Sequence, residues 1–127
     1  MYINTGGRTA GINMIIYSNK APSYANYKLS SFPTYTNYFT NCCTTPLPTF
    51  GTGNTADYPQ FTGWSNNNYR LTANSPCVNT GTDKASWGSL TTEDVDLDGH
   101  RRIDWLFGRV DMGAYEFIHK ITLISGH

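Results

Sequence analysis

The residues with the greatest capacity for chemistry lie within residues 94–117, in the segment DVDLDGHRRIDWLFGRVDMGAYEF. Asp94, Asp96 and Asp98 occupy alternate positions, as in the first half of the calcium-binding loop of an EF-hand. The twelfth position of such a loop is Trp105, where an EF-hand carries a bidentate glutamate. The spacing therefore excludes an EF-hand and leaves an irregular calcium site as the hypothesis.

Calcium requires several hard oxygen ligands, and carboxylates gathered within a few residues can supply them. The predicted ligands are Asp94, Asp96, Asp98 and Asp104.

A second hypothesis makes the same segment a structural cap over the end of a larger fold. Guanidinium groups neutralise carboxylates through bidentate pairs, and buried charges persist only when they are paired. The available arginines are Arg101, Arg102 and Arg109, and the aspartates that they would neutralise are Asp96, Asp98 and Asp111. The sequence leaves calcium and arginine open as partners of the aspartates.

A third hypothesis is catalysis on a polysaccharide, by a lyase or a hydrolase. His100 would act as base, Arg101 or Arg102 as a clamp for a substrate carboxylate, and Asp111 and Glu116 as the carboxylates. Asp111 and Glu116 are five positions apart, so in a strand they would point to opposite faces and make a poor acid–base pair. The sequence holds no recognised nucleophile or zinc-protease motif. We therefore expect a mainly structural or binding role, with a small calcium-assisted carbohydrate-active or other hydrolytic enzyme as the alternative.

Aromatic side chains in polar surroundings suggest sugar binding, because sugar rings pack their apolar faces on aromatic rings. Trp64 stands beside SNNN and Trp87 within KASWGS. These two tryptophans are the predicted carbohydrate-binding residues.

The composition of the 127 residues favours strands and turns over long helices. Charged residues make up only 14%, and Thr, Ser, Asn, Gly and nine Tyr are prominent. Asn, Ser, Thr and Gly are poor helix formers, whereas Tyr, Thr, Ile and Phe favour strands. We therefore expect an all-β protein.

The charge and hydropathy patterns exclude several partners. The net charge is zero and no basic stripe is present, which argues against nucleic-acid binding. No apolar run approaches the roughly 20 residues that span a bilayer. No signal peptide is visible at the start, yet the Tyr-, Asn- and Thr-rich texture suggests an extracellular or cell-surface location, so we expect the chain to be part of a longer exported protein.

Spacing along the first half of the chain suggests a solenoid. Ile16, Phe39 and Phe61 follow one another at nearly equal intervals. The interval lies in the low twenties, and such a period, with one short strand and an asparagine-containing turn per repeat, is typical of a parallel β-helix.

Residues 68–117 resemble the C-terminal region of a known family. The segments NYRLTANSPCVNTG, DLDGHRR and GRVDMGAYEF are similar to the end of bacterial right-handed parallel β-helix proteins, the choice-of-anchor Q or pectate-lyase-like surface proteins. With the preceding coil, the resemblance covers about residues 37–117, although family members are several times longer and carry an anchoring tail.

The resemblance implies a short right-handed parallel β-helix of two to three coils with a C-terminal loop and strand cap. Residues 1–63 would form coils, and residues 64–127 the terminal coil and cap. The implied role is that of a C-terminal segment of a bacterial secreted or surface protein associated with polysaccharide. The first coil, within residues 1–20, would leave an uncapped end that favours self-association.

Three cysteines, Cys42, Cys43 and Cys77, have no zinc-binding spacing. Cys77 could pair with either of the adjacent cysteines in an oxidising compartment, or all three could pack as reduced core residues. The sequence leaves these alternatives open.

Overall fold

A computed structural model describes residues 2–3, 11–20, 23, 25–29, 39–49, 51–83, 89–104 and 108–118. A 3₁₀-helix, Trp64–Asn66, lies between the last two strands. The strands are β1 Tyr2–Ile3, β2 Gly11–Ile12, β3 Ile15–Ile16, β4 Lys28–Leu29, β5 Phe39–Thr40, β6 Cys43–Thr44, β7 Phe61–Gly63 and β8 Asn68–Leu71.

The strands pair two by two. β1 pairs with β4, β2 with β5 and β3 with β6, all parallel, whereas β7 and β8 form an antiparallel pair. Each of the three parallel pairs is only two residues long. The architecture of the described residues is therefore a set of small, separate sheets.

Asparagines in the left-handed region explain why β2 and β5 are short. Asn13 follows β2 with φ 56°, and Asn41 follows β5 with φ 52°. Asparagine tolerates this conformation better than other residues with a side chain, so it turns the backbone between β2 and β3 and between β5 and β6. The two turns lie side by side, since the amide of Cys43 donates to the carbonyl of Met14 over 2.8 Å.

The segment 52–55 lies beside β5 and β6 and pairs with them only through single parallel bridges. Thr40 bridges to Thr52 and Cys43 to Thr55. Asn54 connects the segments, because its side chain donates to the carbonyl of Phe39 over 3.0 Å and accepts the amide of Cys42 over 3.0 Å.

Two apolar clusters form the core of the described residues. The first contains Tyr27, Phe39 and Cys42, with Met14 and Ile16 packed against it. The second contains the buried residues Cys43, Leu71, Cys77 and Met112, and it is bordered by Ile15, Tyr17, Phe61, Val78 and Phe117.

The C-terminal segment packs against the turn after β2. The amide of Gly113 donates to the carbonyl of Asn13 over 2.6 Å, and the amide of Met112 donates to that of Cys77 over 2.9 Å. The side-chain amide of Asn13 donates to the carbonyl of Thr82 over 2.6 Å, and its oxygen accepts the backbone amide of Thr82 over 2.7 Å. Residues 110–113 therefore close one side of the second cluster.

The predicted short β-helix is wrong. Every sheet of the described residues has two strands, and the last pair is antiparallel. The parallel partners Gly11 and Phe39 are further apart in sequence than the predicted period, whereas the next bridge, from Thr40 to Thr52, joins residues much closer together than that period. The strands and bridges share no common period, because the asparagine turns end the strands and the return segments differ in length.

The predicted self-association depended on an uncapped first coil, and the correction removes that premise. Residues 1 and 4–10 also lie outside the described residues. Within the part of the chain that the structure describes, no helix has the length and apolar character needed to cross a membrane.

Candidate functional site

An open groove of about 750 Å³ lies between the turn after β3, the β7–β8 hairpin and the C-terminal segment. Its most prominent feature is aromatic, and we call it the aromatic groove. The aromatic side chains that line it are Tyr17, Tyr58, Phe61, Trp64, Tyr69 and Tyr115.

Edge-to-face contacts hold the rings in place. Tyr17 and Tyr58 have ring centroids 5.8 Å apart at 71°, and Phe61 and Tyr69 lie 5.4 Å apart at 83°. Such contacts are a preferred arrangement of aromatic pairs. The hydroxyl of Tyr17 also donates to the carbonyl of Ala56 over 3.0 Å.

The hairpin brings Trp64 to the groove. Trp64 begins the 3₁₀-helix between β7 and β8, and Asn67 closes this turn with φ 58° and an amide that donates to the Trp64 carbonyl over 3.1 Å. The exposed fractions are 58% for Trp64, 47% for Tyr69 and 44% for Tyr58. Three large rings are thus accessible from solvent along one groove.

The lining of the groove contains no charged side chain among the described residues. Polar groups are contributed by Ser18 and Asn19, which are both exposed. The groove therefore combines aromatic side chains with neutral hydrogen-bonding groups.

An ion pair supports Tyr115 from outside the lining. Arg70 stacks on the Tyr115 ring, with its guanidinium carbon 4.5 Å from the centroid. The same guanidinium donates to both carboxylate oxygens of Asp98, over 2.8 and 2.6 Å. This hydrogen-bonded pair lowers the pKa of Asp98, so the carboxylate stays ionised and holds Arg70 over the ring.

Asp96 is held by backbone amides. Its side chain is fully buried, and one oxygen accepts the amides of Asp98 and His100, each over 2.8 Å. The other oxygen accepts the amide of Glu116 over 2.7 Å. Asp96 thus ties residues 96–100 to the C-terminal segment.

The aspartates predicted as calcium ligands only partly converge. The ligand atoms of Asp96, Asp98 and His100 lie within 4.8 Å of one another. The Asp94 side chain instead accepts the amide of Thr91 over 2.6 Å, and the backbone carbonyl of Asp104 accepts the amide of Gly108 over 2.7 Å.

The carboxylates of this cluster already have hydrogen-bonding partners in the structure. Calcium takes six to eight oxygen ligands, whereas the carboxylates of Asp96 and Asp98 are already engaged by amides and by Arg70. Calcium binding stays a prediction, and a calcium titration of the thermal midpoint would test it.

The carboxylates Asp111 and Glu116 come together in a buried loop. Asp111 is 2% exposed, and its oxygens accept the amides of Asn79 over 2.7 Å and Phe117 over 2.5 Å. The Oε2 atom of Glu116 accepts the amide of Asp111 over 2.9 Å. The Nε atom of Arg102 lies 3.5 Å from the Oε1 atom of Glu116. Burial, and then the negative charge of Asp111, raise the pKa of Glu116 to about 9 despite Arg102.

The remaining predicted catalytic residues lie elsewhere on the surface. Arg101 is exposed, and His100 is half exposed with Nδ1 at 3.7 Å from Asp96. None of His100, Arg101, Asp111 and Glu116 lines the aromatic groove. The structure does not bring these four side chains together around one described cavity.

Of the two predicted sugar-binding residues, Trp64 lines the groove, and Trp87 lies outside the described residues. Sequence reasoning missed Tyr58 and Tyr69 as groove residues and Arg70 as the partner of Asp98. The signal available for them was the concentration of aromatics on either side of the turn at SNNN.

Comparisons with family models, with curated proteins and with solved structures give no match for this chain.

Proposed function

We propose that this chain binds carbohydrate through the aromatic groove, as a C-terminal segment of an exported bacterial surface protein. The observation that carries the proposal is that the exposed side chains of Tyr58, Trp64 and Tyr69 line one open groove. Aromatic faces of this kind cover the apolar faces of sugar rings, and hydroxyl and amide groups beside them bind the sugar hydroxyls. The resemblance of residues 68–117 to bacterial surface proteins supports the cellular location.

The lining favours neutral sugars. A uronate carboxylate needs a cation to bind against, yet no charged side chain lines the groove among the described residues. The nearby guanidinium of Arg70 is already committed to Asp98.

Binding would be tested by co-sedimentation of the purified chain with insoluble cellulose, chitin and xylan, and by titration with soluble polygalacturonate. We expect depletion from solution by at least one neutral polysaccharide and no binding of polygalacturonate. Trp64→Ala should weaken binding at least tenfold, which corresponds to about 1.4 kcal/mol of lost stacking. Leu47→Ala is the matched control, because Leu47 is 55% exposed but does not line the groove.

Two outcomes would contradict the proposal. One is the absence of depletion by every polysaccharide tested, and the other is a Trp64→Ala variant that binds as tightly as the unmodified chain. Release of reducing ends that disappears in His100→Ala would instead support the enzymatic alternative.

A further inference from the structure

The two adjacent cysteines face different parts of the core. Cys42 belongs to the first cluster, where its thiol donates to the carbonyls of Gly11 and Thr40 over 3.3 and 3.4 Å. Cys43 belongs to the second cluster. Successive side chains of an extended segment point to opposite faces, so the two thiols are separated even though the residues are neighbours.

Cys43 and Cys77 meet in the second cluster. Both are fully buried members of this one cluster, and the Cys43 thiol donates to the carbonyl of Asp57 over 3.2 Å. The backbone of Cys77 is fixed on both sides, because its amide donates to the Ser75 hydroxyl oxygen over 3.1 Å and its carbonyl accepts the amide of Met112 over 2.9 Å. Two buried cysteines that share one cluster, while the third lies in another, are the pair that this core favours for a disulfide.

We infer that Cys43 and Cys77 form a disulfide in an oxidising compartment and that Cys42 keeps a free thiol. This inference does not depend on carbohydrate binding. It selects one of the pairings that the sequence leaves open, because Cys43 and Cys77 share the second cluster, whereas Cys42 belongs to the first.

A small-molecule disulfide such as glutathione disulfide would serve as the two-electron oxidant for the formation of this bond. One protein thiolate attacks glutathione disulfide, which gives a mixed disulfide and releases one glutathione. The second protein thiolate then attacks the protein sulfur of the mixed disulfide and releases the second glutathione. Two thiols lose two electrons in total, and their two protons end on the two reduced glutathione molecules.

The order of events follows from the environment of the two thiols. Because both side chains are buried in the folded chain, the reaction with glutathione belongs to folding, before the second cluster closes.

The experiment is refolding in a glutathione redox buffer, followed by alkylation of free thiols in denaturant and intact-mass measurement. We expect one alkylated thiol per chain, in place of three in the fully reduced protein. Cleavage by trypsin after Lys28, Arg70 and Lys84 without reduction should yield peptide 29–70 linked to peptide 71–84. Fragmentation of the linked pair should place the bond at Cys43.

Variants separate the alternatives. Cys42→Ser should refold with no free thiol, whereas Cys43→Ser should keep two. Three free thiols in the unmodified chain, or a bond from Cys42 to Cys43 or Cys77, would overturn the inference. Circular dichroism of the reduced variants provides the control for folding, and the peptide map of the unmodified chain decides the pairing if a variant does not fold.

Discussion

The carboxylates of Asp96 and Asp111 are satisfied mainly by backbone amides. Asp96 accepts the amides of Asp98, His100 and Glu116, and Asp111 accepts two more amides. A carboxylate that accepts several amides holds a loop as firmly as an ion pair does, because each amide bond is charge-assisted. The two side chains therefore hold this part of the chain together, and Asp98 forms its bidentate pair with Arg70 instead of with one of the arginines predicted to neutralise it.

Glu116 makes stability dependent on pH. Its pKa is raised from 4.5 to about 9 in the folded chain by burial and by Asp111. The unfolded chain therefore releases the proton of the Glu116 carboxyl at a lower pH than the folded chain does. As a consequence, the free energy of unfolding falls as pH rises from about 4.5 to about 9, by up to ~1.4 kcal/mol per pH unit. Glu116→Gln keeps an acceptor for the Asp111 amide, and it should flatten this dependence and stabilise the chain at pH 8 by at least about 1 kcal/mol.

Urea unfolding of both forms between pH 5 and pH 9 measures the effect. Glu93→Gln is the control, since Glu93 is exposed and its replacement should leave the slope unchanged. A Glu116→Gln variant that is destabilised at pH 8 would show that Glu116 acts as an ionised partner of Arg102.

Among the secondary-structure elements, the short strands depend on what lies between them. Asn13 and Asn41 turn the chain after two paired residues, and Asn54 joins the segment after β6 to Phe39 and Cys42. Backbone groups that longer ladders would satisfy are thus bonded to asparagine side chains.

Gly51 provides a test of this close packing. It has φ +104°, and a Cβ there would overlap the carbonyl oxygen of Phe39, which also accepts the Asn54 side chain. Gly99 has φ +83° with nothing within 4 Å of an added Cβ. Gly99→Ala should cost about 1 kcal/mol from backbone strain alone, and Gly51→Ala at least about 2 kcal/mol more because of the overlap.

The free energies of unfolding of the two variants, from urea titration, give the comparison. Equal losses in both would mean that the segment containing Gly51 does not pack on β5 as described.

At the scale of the whole molecule, a Cys43–Cys77 disulfide would join the β3–β6 pair to Cys77, whose backbone carbonyl accepts the amide of Met112. A cross-link that closes a loop of roughly 35 residues restricts the unfolded chain and stabilises the folded one by about 3–4 kcal/mol. The oxidised chain should therefore unfold at clearly higher urea concentration than the reduced chain.

Unfolding of Cys42→Ser with and without reductant isolates this effect, because only one pair of thiols remains. Coincident transitions would indicate that the bond strains the core as much as it restricts the unfolded chain.

Local features of this protein follow from its residue types alone. The scarcity of good helix formers accounts for the single short 3₁₀-helix among the described residues, and the polar neighbours of Trp64 are consistent with its exposure. The absence of a long apolar run agrees with the absence of a membrane-spanning helix in the described part of the chain.

The partners of individual side chains, by contrast, were settled by the folded arrangement. The pairing of Arg70 with Asp98 and the burial of Cys43 and Cys77 in one cluster both bring together residues that are far apart in sequence, and the offset of the parallel strands differs from the period read along the chain. Residue types and spacings restrict local conformation, which depends on near neighbours. Distant partners are selected by how the turns direct the chain and by which side chains then fit one core.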